Sequence, residues 1–270
     1  MSEPEEVILD GAHMATEYVA RLWRRHTNDA PVARLADARR RLETLLAALY
    51  ASPLPIVPAE SPARPTLFGR IARRTPRHLV DLRALPSTDG VRLRLPPLLD
   101  ARPCDAAACY RLHAVVQAAR AARGTPRLLP EMSAPEVRDL YLLSEAAASD
   151  REIAAALPGL APDLHRARLA ERESRPRDSL LTSREREVER LVRAVLLSSP
   201  DTNPAGVPFA ATPADSLVWA RATASAHLLL GGRYRGLRAV ATWGRIDPPP
   251  AGVPLRAAGS RDNPSLVPTA

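Results

Sequence analysis

Glu185, Glu187 and Glu189 stand at every second position of one short stretch, and carboxylates are groups that general acid–base catalysis uses. Arginines are interleaved with them, and Glu189 and Arg193 are four residues apart, the spacing of an ion pair on a helix. We therefore interpret these carboxylates as solvated members of a charge-paired helix rather than as catalytic groups.

The sequence lacks the residues and motifs of other common catalytic sites. The chain contains no lysine, so a phosphate-binding loop that ends in Gly-Lys-Ser/Thr is impossible. No G-x-S-x-G nucleophile motif, H-E-x-x-H pair or paired C-x-x-C occurs. The sequence predicts no catalytic residue, no cofactor and no bound metal, and hence a protein that is not an enzyme. The histidines are scattered, at His13, His26, His78, His113, His165 and His227.

One stretch favours partner binding. Tyr234 and Trp243 lie beside arginines in a chain that is only 4% aromatic, and Tyr, Trp and Arg concentrate binding energy at protein interfaces. We expect Tyr234, Arg235 and Trp243 to contact a partner. The alternative is that both rings cover one side of the core. Arg235 itself is interpreted as a surface charge, whose reversal seldom alters stability much.

Elements that would position these residues are mainly helical. A core that is rich in Leu, Val and Ala suits closely packed helices. Apolar residues recur at helical spacing after Pro31 and again over 108–122, where Gly124 closes the helix. Between these helices, two alternating runs flank Ser87-Thr88-Asp89-Gly90, where Asp-Gly favours a tight turn, and they predict a small β-hairpin that stops at Pro96-Pro97.

Helix starts further along the chain are marked by capping boxes of the form Ser/Thr-x-x-Glu, at Ser133, Ser149 and Thr182. Pro162 and Thr212-Pro213 start two more helices, and Gly231-Gly232 ends the last. The sequence thus predicts a mainly α fold, a multi-helix domain with one small β-hairpin insertion and a disordered C-terminal tail.

Prolines divide the chain. We predict an N-terminal helical pair over 1–52, a Pro-rich linker over 53–66 and a hairpin-plus-helical domain over 67–246. Residues 247–270 have too little apolar surface to fold and form the predicted disordered tail.

Charge and cysteine content suggest a compartment. The net charge is +8, all of it from arginine, and we interpret it as a solvated surface, because no basic patch carries interleaved aromatics. Cys104 and Cys109 would point to different faces of one helix, so a disulfide between them is not expected. Two free thiols, an acidic N-terminus and no long apolar run predict a cytoplasmic protein without membrane insertion.

Residues 181–192, LTSREREVERLV, resemble the opening of a LuxR-type helix-turn-helix. Such a module needs a recognition helix soon afterwards, and the prolines between 193 and 206 argue against one. A DNA-binding regulator with a degenerate LuxR-like helix is therefore the alternative function, and specific nucleic-acid binding is not expected.

Several pieces, in order along one chain, resemble the helical N-terminal region of NorD-type nitric oxide reductase activation proteins and of the related CbbO rubisco activators. The pieces are LRLP at 93–96, YRLHAVVQAAR at 110–120 with Gly124-Thr125, DLYLLSEAAA at 139–148, LPGL at 157–160, and YRGL with WG within 234–244.

The resemblance implies a non-enzymatic adaptor. Such proteins act with a MoxR-type AAA+ ATPase to activate a client metalloenzyme, such as nitric oxide reductase or rubisco. Family members end in a von Willebrand factor A domain with a D-x-S-x-S metal site, which this sequence lacks. That domain is expected on a separate partner protein or to be missing from this member.

Overall fold

A computed structural model describes residues 32–50, 54–62, 79, 81, 83–100 and 106–252. The helix predicted over 12–26, the arginines between 70 and 77, and the tail from residue 253 onward lie outside the described residues. Within the described part the fold is mainly α, as predicted.

Helices supply most of the described structure. They are α1 (Leu35–Tyr50), α2 (Ala106–Arg123), α3 (Pro135–Ala156), α4 (Ala161–Glu173), α5 (Ser183–Leu197) and α6 (Pro213–His227). Short 3-10 helices lie between or after them, at Thr125–Glu131, Pro158–Leu160, Asp178–Leu180 and Leu228–Leu230.

The predicted capping box of α5 is confirmed. The Thr182 side chain accepts a hydrogen bond from the backbone N–H of Glu185 at 3.3 Å, and the Glu185 carboxylate accepts one from the backbone N–H of Thr182 at 2.9 Å. Thr212 and Asp215 make the same reciprocal pair at the start of α6. Both helices therefore begin where local chemistry satisfies their first N–H groups.

The capping boxes predicted at Ser133 and Ser149 are wrong. Helix α3 has Ala134 as its N-cap and no side-chain cap, because Glu136 is buried and pairs instead with Arg184 and with Nδ1 of His227. Ser149 is buried inside α3, which runs without a break for 22 residues. Tertiary burial overrides the local capping signal at both positions.

Short strands form two small sheets. The predicted hairpin is present as β3 (Ser87–Thr88) paired antiparallel with β4 (Leu93–Leu95), but Ser87 and Thr88, which were predicted to lie between the two runs, form its first strand. It lies within a four-stranded sheet of order β2-β4-β3-β6, where β2 is Ile56–Pro58 and β6 is Arg245–Ile246, each paired in parallel with its neighbour. A second sheet pairs β1 (Val32–Arg34) with β5 (Leu98–Asp100) antiparallel.

Strand β2 lies in the segment that was predicted to be a linker. Ile56 is fully buried, and its strand pairs with Leu93–Leu95. Leu42 and Leu46 of α1 share a buried cluster with Tyr110 and Leu112 of α2. The residues on either side of the predicted linker therefore contribute to one core and not to two separate ones.

Cys109 corrects one prediction. It is disulfide-bonded, so the expectation of two free thiols is wrong; the only other cysteine of the sequence, Cys104, lies outside the described residues. The cysteines therefore no longer support a reducing compartment. Separately, no helix in the described ranges is both long and apolar enough to cross a bilayer.

Replacing Leu46 by Ala tests the shared core. Leu46 is fully buried, so we expect the free energy of unfolding to fall by about 2–5 kcal/mol, with one cooperative transition retained in urea. The control is Leu229→Ala, at a side chain that is 91% exposed, which should leave stability nearly unchanged. A separate early transition that Leu46→Ala alone shifts would show that α1 is an independent unit.

Candidate functional site

The segment from Tyr234 to Asp247 crosses α3 and α5 and ends in β6. Its two aromatic residues are anchored by aspartates of α3: the Tyr234 hydroxyl donates to Oδ2 of the partly buried Asp139 at 2.7 Å, and Trp243 Nε1 donates to Oδ2 of the buried Asp150 at 3.0 Å. Trp243 is only 5% exposed and belongs to the same core cluster against which Tyr234 packs. Its ring therefore has the core position that was the alternative to a surface contact.

Arg235 ties the segment to α5. Its Nε and Nη2 donate to the two carboxylate oxygens of Glu185 at 2.9 and 2.8 Å, and its backbone N–H donates to the same group. Burial alone would raise the pKa of Glu185, but the hydrogen bonds from Arg235 and from the backbone of Thr182 lower it to about 2. Arg235 is thus a structural clamp as well as the most solvent-accessible of the three predicted contact residues.

Gly244 follows Trp243 for a steric reason. Its φ is +66°, and a Cβ at this position would lie 2.1 Å from the Pro86 carbonyl oxygen. The next residue, Arg245, donates its backbone N–H to the same carbonyl at 2.8 Å. Only glycine permits this approach to the strand segment that leads into β3.

A cavity of about 540 Å³ opens between this segment and the first turns of α3. Its lining combines four arginines and two aspartates with apolar side chains in about equal measure. The charged residues are Arg120, Arg138, Asp139, Arg238, Arg245 and Asp247, and the larger apolar ones are Met132, Leu142, Leu143, Leu237, Val240, Trp243 and Ile246.

Asp139 is the acid of this cavity with the clearest electrostatic perturbation. Burial raises its pKa to about 6, although the hydrogen bond from Tyr234 and the charge of Arg138 act in the opposite direction. A carboxyl group with this pKa changes its ionisation in mildly acidic solution, and it does so on the cavity wall.

The burial of the charges that hold this region together was not predicted from the sequence. Glu185 and Glu189, interpreted as solvated, are each 1% exposed, and Glu189 accepts two hydrogen bonds from Arg175. The predicted ion pair of Glu189 with Arg193 is confirmed at 3.2 Å, and Glu187, which is partly exposed, pairs with Arg190. Arg120 and Asp150 were not singled out, although a charged residue within the apolar run of α2 is a signal that could have found Arg120.

Neither a search for metal-binding clusters nor comparison with known proteins assigns a function to this site. Within the described ranges, no cluster of His, Cys, Asp and Glu side chains is suited to hold a metal ion. The chain matches no protein-family model, and no curated protein or solved structure is significantly similar to it. The prediction that Tyr234, Arg235 and Trp243 bind a partner stays a prediction, and all three side chains make internal contacts.

Reversal of Arg235 tests the clamp. Arg235→Glu would place two carboxylates together where Glu185 is buried, so we expect the free energy of unfolding to fall by about 2 kcal/mol, less than for a fully buried pair because the Arg235 side chain is 33% exposed. Arg233→Glu, at an exposed neighbour, is the matched control and should change stability by less than about 0.5 kcal/mol. Equal urea midpoints for the two variants would contradict the clamp.

The raised pKa of Asp139 predicts how the stability of the protein changes with pH. Its pKa is about 6 in the folded protein against an ordinary value of 3.8, so the folded state holds the proton more tightly between these values. Stability should therefore fall as the pH rises through this window. Urea unfolding of the wild type and of Asp139→Asn, compared from pH 3.5 to 7, should show a larger fall in the wild type than in the variant; parallel curves would refute it.

Proposed function

We propose that this chain is a cytoplasmic, non-enzymatic adaptor of the NorD type that binds a MoxR-type AAA+ ATPase and helps it to activate a client metalloenzyme. A protein that carries a von Willebrand factor A domain is a further partner in this proposal. The client belongs to the class of enzymes that includes nitric oxide reductase.

The observation that carries the proposal is an exposed leucine tip, Leu228–Leu230. This 3-10 helix follows α6 directly and is followed by Gly231-Gly232. Leu228, Leu229 and Leu230 are 64%, 91% and 46% exposed. Large apolar side chains that are adjacent and exposed mark protein-interaction sites more often than isolated ones do, so the tip favours a protein partner.

The position of the tip suits such a contact. A Cβ on Gly232 would meet the Thr182 side chain at 3.5 Å, so the chain after the tip lies against the capped start of α5. Two helices with reciprocal side-chain caps therefore support the tip on either side. A rigid base lowers the entropy lost when an apolar loop is buried in a complex.

The pieces that carry the resemblance also contact one another, which supports a shared scaffold. The Tyr110 hydroxyl donates to the Pro96 carbonyl at 2.9 Å, and the Tyr141 hydroxyl donates to the Thr125 carbonyl at 2.7 Å. The contact between Tyr234 and Asp139 joins two further pieces. Interdependent contacts of this kind give a physical reason for those residue types to occur together in one chain.

The DNA-binding alternative receives no comparable support. Helix α5 contains the LuxR-like residues, but its apolar face and two of its glutamates are buried. The next helix, α6, begins only at Pro213, after an irregular segment. A recognition helix that follows at once would be needed for reading the major groove, so we do not propose this function.

The test is capture with purified components. The chain should retain the MoxR-type ATPase encoded by the same organism, and Leu229→Asp should weaken this binding by at least about tenfold, because a charge would be buried in the apolar contact. Val218→Asp is the matched control, since Val218 is 67% exposed but lies on α6 before the tip. Binding should be measured by biolayer interferometry, with circular dichroism to check the fold of each variant.

Two outcomes would contradict the proposal. One is the absence of any measurable binding to the ATPase at micromolar concentrations. The other is an equal loss of binding in Leu229→Asp and Val218→Asp, which would remove the leucine tip as the contact.

A further inference from the structure

Arg120 is a buried cation without a carboxylate partner. It lies on α2, it is 2% exposed, and its Nη1 donates to the Trp243 carbonyl oxygen at 2.7 Å. Its Nε has no hydrogen-bond acceptor, and no carboxylate of the described residues lies within the 4.0 Å of an ion pair. The buried carboxylates of Asp150 and Glu145 act on Arg120 only from beyond that distance. A buried charge without a direct ion-pair partner is costly, so this arrangement calls for an explanation.

Other buried arginines of the same fold do have partners. Arg175 donates to both carboxylate oxygens of Glu189 at 2.9 and 2.6 Å, and Arg123 donates to both oxygens of Glu145. Arg168 is less well paired, 3.8 Å from Asp150, but it is not part of the cavity lining. Arg120 combines an unpaired guanidinium with a position on the cavity wall.

Around Arg120 the cavity is electropositive. Arg138 and Arg245 are exposed at its rim, and among the described carboxylates none forms an ion pair with either. Of the two aspartates in the lining, Asp247 already pairs with Arg94 at 2.9 Å, and Asp139 is held by Tyr234. With four arginines against two aspartates, one of which pairs with an arginine outside the lining, the cavity keeps an excess of positive charge.

The remaining lining is suited to an apolar body. Leu142, Leu143, Leu237 and Val240 line the walls, and so does Trp243, whose backbone carbonyl accepts the hydrogen bond from Arg120. The volume of about 540 Å³ is within the range of small-molecule sites, which are mostly apolar with a few polar groups that orient the ligand.

We infer that this cavity binds a small organic anion, a carboxylate or phosphate on an apolar body. The anionic group accepts hydrogen bonds from the Arg120 guanidinium, whose planar fork matches both chemistries, and Arg138 and Arg245 add attraction from the rim. The apolar body lies against the leucines and Trp243. This inference does not depend on the proposed adaptor function, because it concerns a different surface from the leucine tip.

Titration of the full chain with matched probes tests the chemistry. Phenyl phosphate and benzoate are the anions, benzyl alcohol is the neutral analogue, and inorganic phosphate lacks the apolar body. We expect at least one aromatic anion to bind at least about tenfold more tightly than benzyl alcohol and inorganic phosphate, since a hydrogen bond to a charged group contributes about 1.5–3 kcal/mol. The tighter of the two anions identifies the preferred group.

The indole N–H resonance of Trp243 reports the location. It should shift on titration, while that of Trp219, which does not line the cavity, should not. Trp243→Phe assigns the signal. Binding that shifts Trp219 and leaves Trp243 unchanged would overturn the inference, as would equal affinity for benzoate, phenyl phosphate and benzyl alcohol.

Rim variants keep the inference testable if Arg120→Met does not fold. Arg138→Gln and Arg245→Gln should each weaken the anion severalfold without unfolding the protein, because both side chains are exposed. Arg172→Gln, at an exposed arginine outside the cavity, should have no effect. Unchanged affinity in both rim variants would refute the site, whereas loss of ATPase capture in Leu229→Asp has no bearing on it.

Discussion

The two ends of Trp243 join the parts of this fold. Its backbone carbonyl accepts hydrogen bonds from Gln117 and Arg120 of α2, and its indole N–H donates to Asp150 of α3. The next residue, Gly244, then allows the chain to approach Pro86 and to enter the four-stranded sheet as β6. Trp243 thus links α2 to α3 through hydrogen bonds to Gln117, Arg120 and Asp150. These polar groups are buried, in surroundings where an unpaired polar group is costly.

Arginine is the cation that pairs with the buried carboxylates of this protein. The chain has no lysine, and its aromatic content is 4%, so buried guanidiniums occupy volume that large rings would fill elsewhere. Their planar forks bind carboxylates through two hydrogen bonds at once, as in Arg175 with Glu189 and Arg235 with Glu185. These pairs give directional contacts between elements that small aliphatic side chains alone would leave poorly specified.

The two proposals concern separate regions with different chemistry. The leucine tip is apolar and exposed, as expected of a surface that is covered by protein, whereas the cavity is cationic with apolar walls and is suited to a small anion. Segment 231–247 connects them, since Gly231 follows the tip and Trp243 lies at the cavity. Arg235 and Glu185 hold this segment between the two regions.

Local chemistry determined much of the secondary structure. Apolar spacing and the terminal glycine predicted α2, the reciprocal Thr182–Glu185 cap predicted the start of α5, and Asp89-Gly90 predicted the hairpin, because each signal involves residues close together in the chain. At other positions, burial against distant parts of the chain competes with the local preference of a residue. There, only the tertiary structure decided which conformation forms. The Glu136 side chain does not cap its helix but pairs with Arg184 and His227. Part of the proline-rich stretch forms a strand that pairs with β4, and the Ile56 side chain of this strand is buried. The partners of Arg235 and Trp243, and the cavity beside Arg120, depend on residues 50 or more positions apart, whose proximity no local pattern encodes.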